Sequence, residues 1–145
     1  MPLWQIDIYP SENQVDREAI RTSEEISELG LGSQLSVAFA RTFLVQGDFM
    51  RDEAVRLAET LLCDAVTERS VVAIAGQEVL NQPPEEECST LVNVLPKPGV
   101  MDPVAASTVG AARDAGFEVD AVRTMRKYWL GHLPQGDLDA ICRRA

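Results

Sequence analysis

The sequence holds a single histidine, His132, and three cysteines, Cys63, Cys88 and Cys142, no two of them in a CxxC spacing. An odd, dispersed set argues against both a disulfide framework and a zinc site, so reduced structural thiols are the expectation. So few thiols and imidazoles also leave little from which to build a nucleophilic or metal-dependent catalyst. No apolar run approaches the roughly 18 residues of a membrane-spanning helix. The opening MPLWQIDIYP has no basic region ahead of an apolar stretch, so it does not read as a secretory signal, and a cytoplasmic location is expected. A phosphate-binding glycine loop is missing as well. Gly30-Leu31-Gly32 follows a helical pattern instead of joining a strand to a helix.

Positive charge is scarce. Against 23 Asp/Glu stand 13 Lys/Arg, a net of −10, which excludes nucleic acid as a partner because its phosphates demand a basic footprint. The imbalance is local. Residues 1–92 carry 6 Lys/Arg against 17 Asp/Glu, a net of −11, whereas residues 93–145 carry 7 against 6, a net of +1. The acidic part reads as a solvated surface, and the neutral part is where an anion or an acidic partner can approach. The hydrophobic fraction of 46% over 145 residues is enough for one domain, or for two small units sharing a core.

An internal repeat organises what is present. Shifting the chain by 86 positions lays IDIYPSENQVDREA on VNVLPKPGVMDPVA, with Pro10 on Pro96, Asp16 on Asp102 and Ala19 on Ala105. The ungapped match continues with Gly30 on Gly116, Phe43 on Trp129 and Leu44 on Leu130. In the first copy, residues 3–9 alternate with Trp4, Ile6 and Ile8 on one side, a strand that Pro10 ends. Asp16 suits the N-cap of a helix over 17–29, and Gly30 suits the left-handed residue that closes it. A second strand over 35–45, a helix over 52–63 with Ala54, Leu57, Ala58 and Leu61 on one face, and a third strand over 69–75 complete a βαβαβ unit.

The second copy predicts a strand over 91–95, a rigid turn PKPGVMDP, and an N-cap at Asp102 with Pro103 at the first helical position. A helix over 103–115 closed by Gly116 and a strand over 119–130 follow, with a last helix near Asp137 carrying Leu138, Ile141 and Cys142. No counterpart of the closing strand remains, so a fragment of a longer polypeptide is expected. The predicted class is α+β: a tandem duplication with its sheets covered by helices and the second copy lacking its last strand. The expected boundaries are 1–76 for the first repeat, 77–90 for an exposed acidic linker (QEVLNQPPEEECST) and 91–145 for the second repeat.

Candidate chemistry is thin. Glu24-Glu25 and Glu85-Glu86-Glu87 read as solvated charge, because paired carboxylates need a shaped, buried pocket to do acid–base work. Asp16 and Asp102 read as caps. No catalytic residue and no metal ligand is expected. Lys97, beside a helix N-terminus, is an outlying candidate for binding an anion, although turn geometry also accounts for it. The densest cluster is Arg123-Thr124-Met125-Arg126-Lys127-Tyr128-Trp129. On a strand, Arg123, Met125, Lys127 and Trp129 share one face, and Thr124, Arg126 and Tyr128 the other. Two readings stay open: a surface recognising a protein or a phosphorylated ligand, or an edge strand whose snorkelling cations discourage aggregation.

The segments 96–107 and 122–130 resemble the hallmarks of the PurS family: a strand, a Pro-Gly-Val-x-Asp-Pro turn, a helix, then a strand with Val-Arg and Lys-Tyr pairs. Here these are Pro98, Gly99, Val100, Asp102 and Pro103, then Val122, Arg123, Lys127 and Tyr128. The first copy keeps Asp16 and Gly30 and has Ser11-Glu12-Asn13 in place of the Pro-Gly turn. The resemblance implies a non-catalytic module of formylglycinamide ribonucleotide amidotransferase (phosphoribosylformylglycinamidine synthase) of purine biosynthesis. Such a module bridges a PurL-type synthetase and a PurQ-type glutaminase, and the ATP and Mg sites are expected on the synthetase. Arg123, Arg126, Lys127, Tyr128 and Trp129 are then the expected partner contacts, with Lys97 as an outlier. The alternative is a stand-alone regulatory α/β domain that binds a small molecule.

Overall fold

The computed structural model describes residues 2–11, 14–30, 36–64, 66–84, 88, 90–97, 99–131 and 139. Strand β1 (Leu3–Pro10) leads to helix α1 (Arg17–Glu28), strand β2 (Val37–Gly47) and helix α2 (Arg51–Leu57). Strand β3 (Glu68–Ile74), strand β4 (Thr90–Val94), helix α3 (Pro103–Asp114) and strand β5 (Val119–Leu130) follow. The five strands form one antiparallel sheet in the order β3-β1-β2-β5-β4, which with the three helices makes an α+β fold. Among the described residues no helix is long and apolar enough to cross a membrane.

The helices cover one face. Strand alternation sends Trp4, Ile6 and Ile8 to the same side as Phe43, Val45 and Val122, where they pack with Ala54 and Leu57 of α2 and with Ala105 and Ala112 of α3. Farther along that face, Ile26 of α1 packs against Tyr128 and Leu130, with Phe39 and Val92 beside them. Between these two clusters, Arg41 of β2 and Arg126 of β5 lie directly opposite each other.

The segments β1-α1-β2 and β4-α3-β5 share a plan. Helices α1 and α3 begin at Arg17 and Pro103 and end at Glu28 and Asp114, an offset of 86 at both ends. Each starts from an aspartate that also reaches the strand after the helix. Asp16 accepts from Ala19 N at 3.0 Å and from Phe39 N at 3.0 Å. Asp102 accepts from Ala105 N at 3.0 Å and from Thr124 N at 3.0 Å. Such a carboxylate fixes a helix end to a strand, which is more than an isolated cap achieves. Gly30 and Gly116, with φ of 73° and 93°, take the left-handed conformation just beyond the two helices.

Three expectations need correction. The helix expected over 52–63 is α-helical only to Leu57. Ala58–Leu62 is a π-turn, closed by a bond from Cys63 N to Ala58 O at 2.9 Å. The segment 77–90 is not simply an exposed linker. Strands β3 and β4 stand at opposite edges of the sheet, so the chain between them must cross the helix-free face. Leu80, on the 3₁₀ turn Glu78–Asn81, and Cys88 are buried in doing so. Third, the edge-strand reading of β5 holds only for Val119–Met125, since β2 pairs along the strand but β4 pairs with Arg126–Leu130 alone. The last helix expected near Asp137 lies outside the described residues apart from Asp139, and among those residues no strand follows Leu130.

Candidate functional site

Strand β5 divides its polar cluster between the two sheet faces in the alternation that the sequence predicts. Lys127 points to the helix-free face and is 1% exposed. Its Nζ donates to Asp7 Oδ2 at 2.6 Å and to the carbonyl of Leu80. Asp7, also 1% exposed, accepts in addition from Thr42 Oγ1 at 2.8 Å and from Gln5 Nε2 at 3.0 Å. This lysine therefore ties the crossing segment to β1 and β5. It is no surface contact, because a charge so far from water is held by its carboxylate and hydrogen bonds.

Trp129, next on that face, is buried and donates from Nε1 to the Tyr9 hydroxyl at 2.9 Å. It packs with Ala38, Ala40 and Cys88. Burial, partly offset by the bond from Trp129, pushes the Tyr9 hydroxyl up to about 12. Tyr128 is buried on the helical face against Phe39, with ring centroids 5.1 Å apart, and donates to Glu18 Oε1 at 2.9 Å. Burial and then the bonded Glu18 raise its hydroxyl. Glu18 itself is held below the usual carboxylate range, chiefly by its bond from Arg21. Of the five residues expected on β5, Lys127, Tyr128 and Trp129 are thus packing and tethering groups in this structure, and their side chains are out of reach of a partner. Arg123 and Arg126 are exposed.

The turn before α3 brings the remaining candidates to those two arginines. Asp102 caps α3 and binds β5 twice through Oδ2, to Thr124 N and to Thr124 Oγ1 at 2.8 Å. Partial burial pushes its carboxyl up, and the bonds from Ala105 and Thr124 outweigh that, leaving the group below its ordinary value. Pro103 is the first residue of α3, as expected. Around this turn, Lys97, Asp102, Arg123 and Thr124 line a depression of about 90 Å³. A groove of about 440 Å³ adjoins it, with Arg41, Arg126, Phe43, Val94, Leu95 and Val104 in its lining. Arg41 is already engaged, its Nη2 donating to Glu68 Oε1 at 2.7 Å and to Leu62 O at 2.8 Å. Arg126 has no carboxylate within ion-pair distance among the described residues.

The depressed Asp102 carboxyl predicts a pH signature. A carboxyl whose folded value lies below its unfolded one stabilises the fold above the unfolded value, about 3.8, and loses that contribution as pH falls through the folded one. Urea midpoints of wild type and Asp102→Asn should differ at pH 6 and converge as pH falls through and below 3.8. Midpoints that differ equally at pH 6 and pH 3 would show that the charge on Asp102 contributes nothing.

Sequence reasoning missed Asp7, Tyr9 and Arg41. For Asp7 a signal existed: an acid set between Ile6 and Ile8 inside a strand. Nothing local marked the other two. Among the described residues no three of His, Cys, Asp and Glu gather as metal ligands would. His132 and Cys142 lie outside those residues. The site holds exposed cations, an apolar-walled groove and firmly satisfied buried polar groups, an arrangement suited to binding and positioning. Comparison with protein-family models, with curated proteins and with solved structures finds no match.

Proposed function

We propose that this chain is a non-catalytic assembly module of the PurS kind, ordering the synthetase and glutaminase parts of formylglycinamide ribonucleotide amidotransferase. One observation carries the reading. Asp102 and Pro103 of the Pro-Gly-Val-x-Asp-Pro resemblance open α3, and Asp102 also holds β5 at Thr124, next to the exposed Arg123 and near Arg126. ATP and Mg belong, on this reading, to the associated synthetase.

A tandem duplication accounts for the shared plan of the two halves. The cap aspartate reaches the following strand across 23 residues in the first half and 22 in the second. An offset of 86 at the first strands and the helices, and of 85 at the strands after the helices, relates the two units, the second one residue shorter, so that Phe43 falls on Tyr128 and not on Trp129. Under that offset Arg41 and Arg126 are equivalent, and they meet at the β2–β5 seam about which the halves are arranged.

The test is reconstitution. The chain is titrated into a synthetase and a glutaminase that have been freed of any equivalent module. Amidation with glutamine as nitrogen donor should rise with the chain and saturate, whereas amidation with free ammonia should change little, because only the first needs the two proteins assembled. Glutamine-dependent activity indifferent to the chain defeats the reading.

A further inference from the structure

The turn and helix of 95–104 expose more apolar side chain than any other part of the described chain. Leu95 is 51% exposed, Val100 59%, Met101 83% and Val104 56%. Leu95, Val100 and Val104 belong to one run of adjoining depressions. The depression at Lys97 and Arg123 shares Leu95 and Thr124 with the Arg126 groove. That groove in turn shares Val104 with a third depression of about 380 Å³, which runs between the π-turn at Leu61 and Leu62 and helix α3. Contiguous exposed apolar surface rimmed by polar groups is a mark of protein interfaces.

Charge narrows the occupant. The protein is acidic, with a net of −10, yet Arg41, Lys97, Arg123 and Arg126 line these depressions against a single carboxylate, Asp102. That carboxylate is committed to Ala105 and Thr124, and Arg41 is neutralised by Glu68. Arg126 shares its sheet face with Arg41, while Arg123 alternates to the helix-free face and meets Lys97 at the smaller depression. Arg41 and Arg126 also stand directly opposite on one face, where like charges repel unless an anion sits between them. Glu68 supplies that anion to Arg41 alone.

Resting on the assembly reading, we infer that this surface docks an acidic, apolar-flanked segment of the partner protein, whose carboxylates engage Arg126 while its apolar side chains cover Leu95 and Val104. The planar guanidinium of Arg126 offers a carboxylate two parallel hydrogen bonds, and the apolar walls of the groove strengthen them by excluding water. Charge complementarity of this kind governs the rate and specificity of docking.

The experiment measures affinity of the chain for the synthetase–glutaminase pair, by titrating glutamine-dependent activity at several salt concentrations. Arg126→Glu, and separately Leu95→Asp with Val104→Asp, should each weaken half-saturation by at least about tenfold. Circular dichroism and unfolding midpoints identify any variant that fails to fold, and the single change Arg126→Gln then substitutes for it with a smaller loss. Arg17→Glu, an exposed cation on α1, should behave as wild type. If the chain is required for glutamine-dependent activity and the folded surface variants saturate like wild type, this inference falls and the assembly reading stands. If the chain is not required at all, the assembly reading falls instead. A dimer of the free chain that the same variants dissociate assigns the surface to a second copy, and overturns the proposal as well.

Discussion

Lys127→Ala should lower the unfolding free energy by about 3–5 kcal/mol, because it leaves the Asp7 carboxylate buried without its counter-charge. Both side chains are 1% exposed and bonded at 2.6 Å, so neither has water to fall back on. Thr42 and Gln5 still donate to Asp7 in the variant, which keeps the loss from being larger. The Leu80 carbonyl also loses its donor, so the segment that crosses the sheet loosens locally. Replacing both partners, Asp7→Leu with Lys127→Met, should recover most of the stability, since two apolar groups of like volume need no pairing. A double-mutant cycle in urea measures the coupling. A single-variant loss under about 1 kcal/mol, the size found for exposed pairs, would mean the pair is solvated in solution.

Trp129→Ala should cost a similar amount, about 3–5 kcal/mol, through the cavity left among Ala38, Ala40 and Cys88. Trp129→Phe keeps most of the apolar volume and removes the donor to Tyr9, so its cost should be nearer about 1–2 kcal/mol. Burial of Tyr9 in the same cluster sets an alkaline limit. Tyr9 has its hydroxyl pushed from 10.0 to about 12 in the fold. A raised folded value means the protonated form is favoured by folding, so its contribution is full below pH 10 and lost as pH climbs toward 12. Between those values wild type should lose stability more steeply than Tyr9→Phe, which has no proton to release. Parallel slopes for the two proteins in urea unfolding from pH 9 to pH 12 would show that Tyr9 ionises freely.

These two residues show where reading the sequence stopped. The alternation of β5 was legible, and it assigned Lys127 and Trp129 correctly to one face and Tyr128 to the other. A face made of a lysine, an arginine, a methionine and a tryptophan looks half wet, so Lys127 and Trp129 read as candidates for a partner. Leu80 and Cys88 cover part of that face, and they come from a stretch rich in proline and glutamate whose composition marks an exposed connector. Composition reports what a segment tolerates. It does not report that β3 and β4 end up at opposite edges, which obliges the connector to cross the sheet and bury Leu80 and Cys88. The same is true of Arg41, an unremarkable residue until β2 pairs with β5 and sets it against Arg126.

Local chemistry, by contrast, was readable from the chain alone. Asp16 and Asp102 were recognisable as caps, because a short carboxylate before a helical pattern has few competing uses, and both accept the expected amide. The helix limits at 17 and 103, and the strands around Ile6 and Val122, follow from period and punctuation over a few neighbouring residues. The sequence by itself determined the α+β elements and which side chains share a strand face. Only the tertiary structure decided which cations are buried and which are presented: Lys127 with Asp7 across 120 residues, Arg123 and Arg126 in the open. The reason is physical. Periodicity and capping act within one or two turns of chain, whereas burial of a charge depends on strand order and on a partner brought from the far end of the sequence.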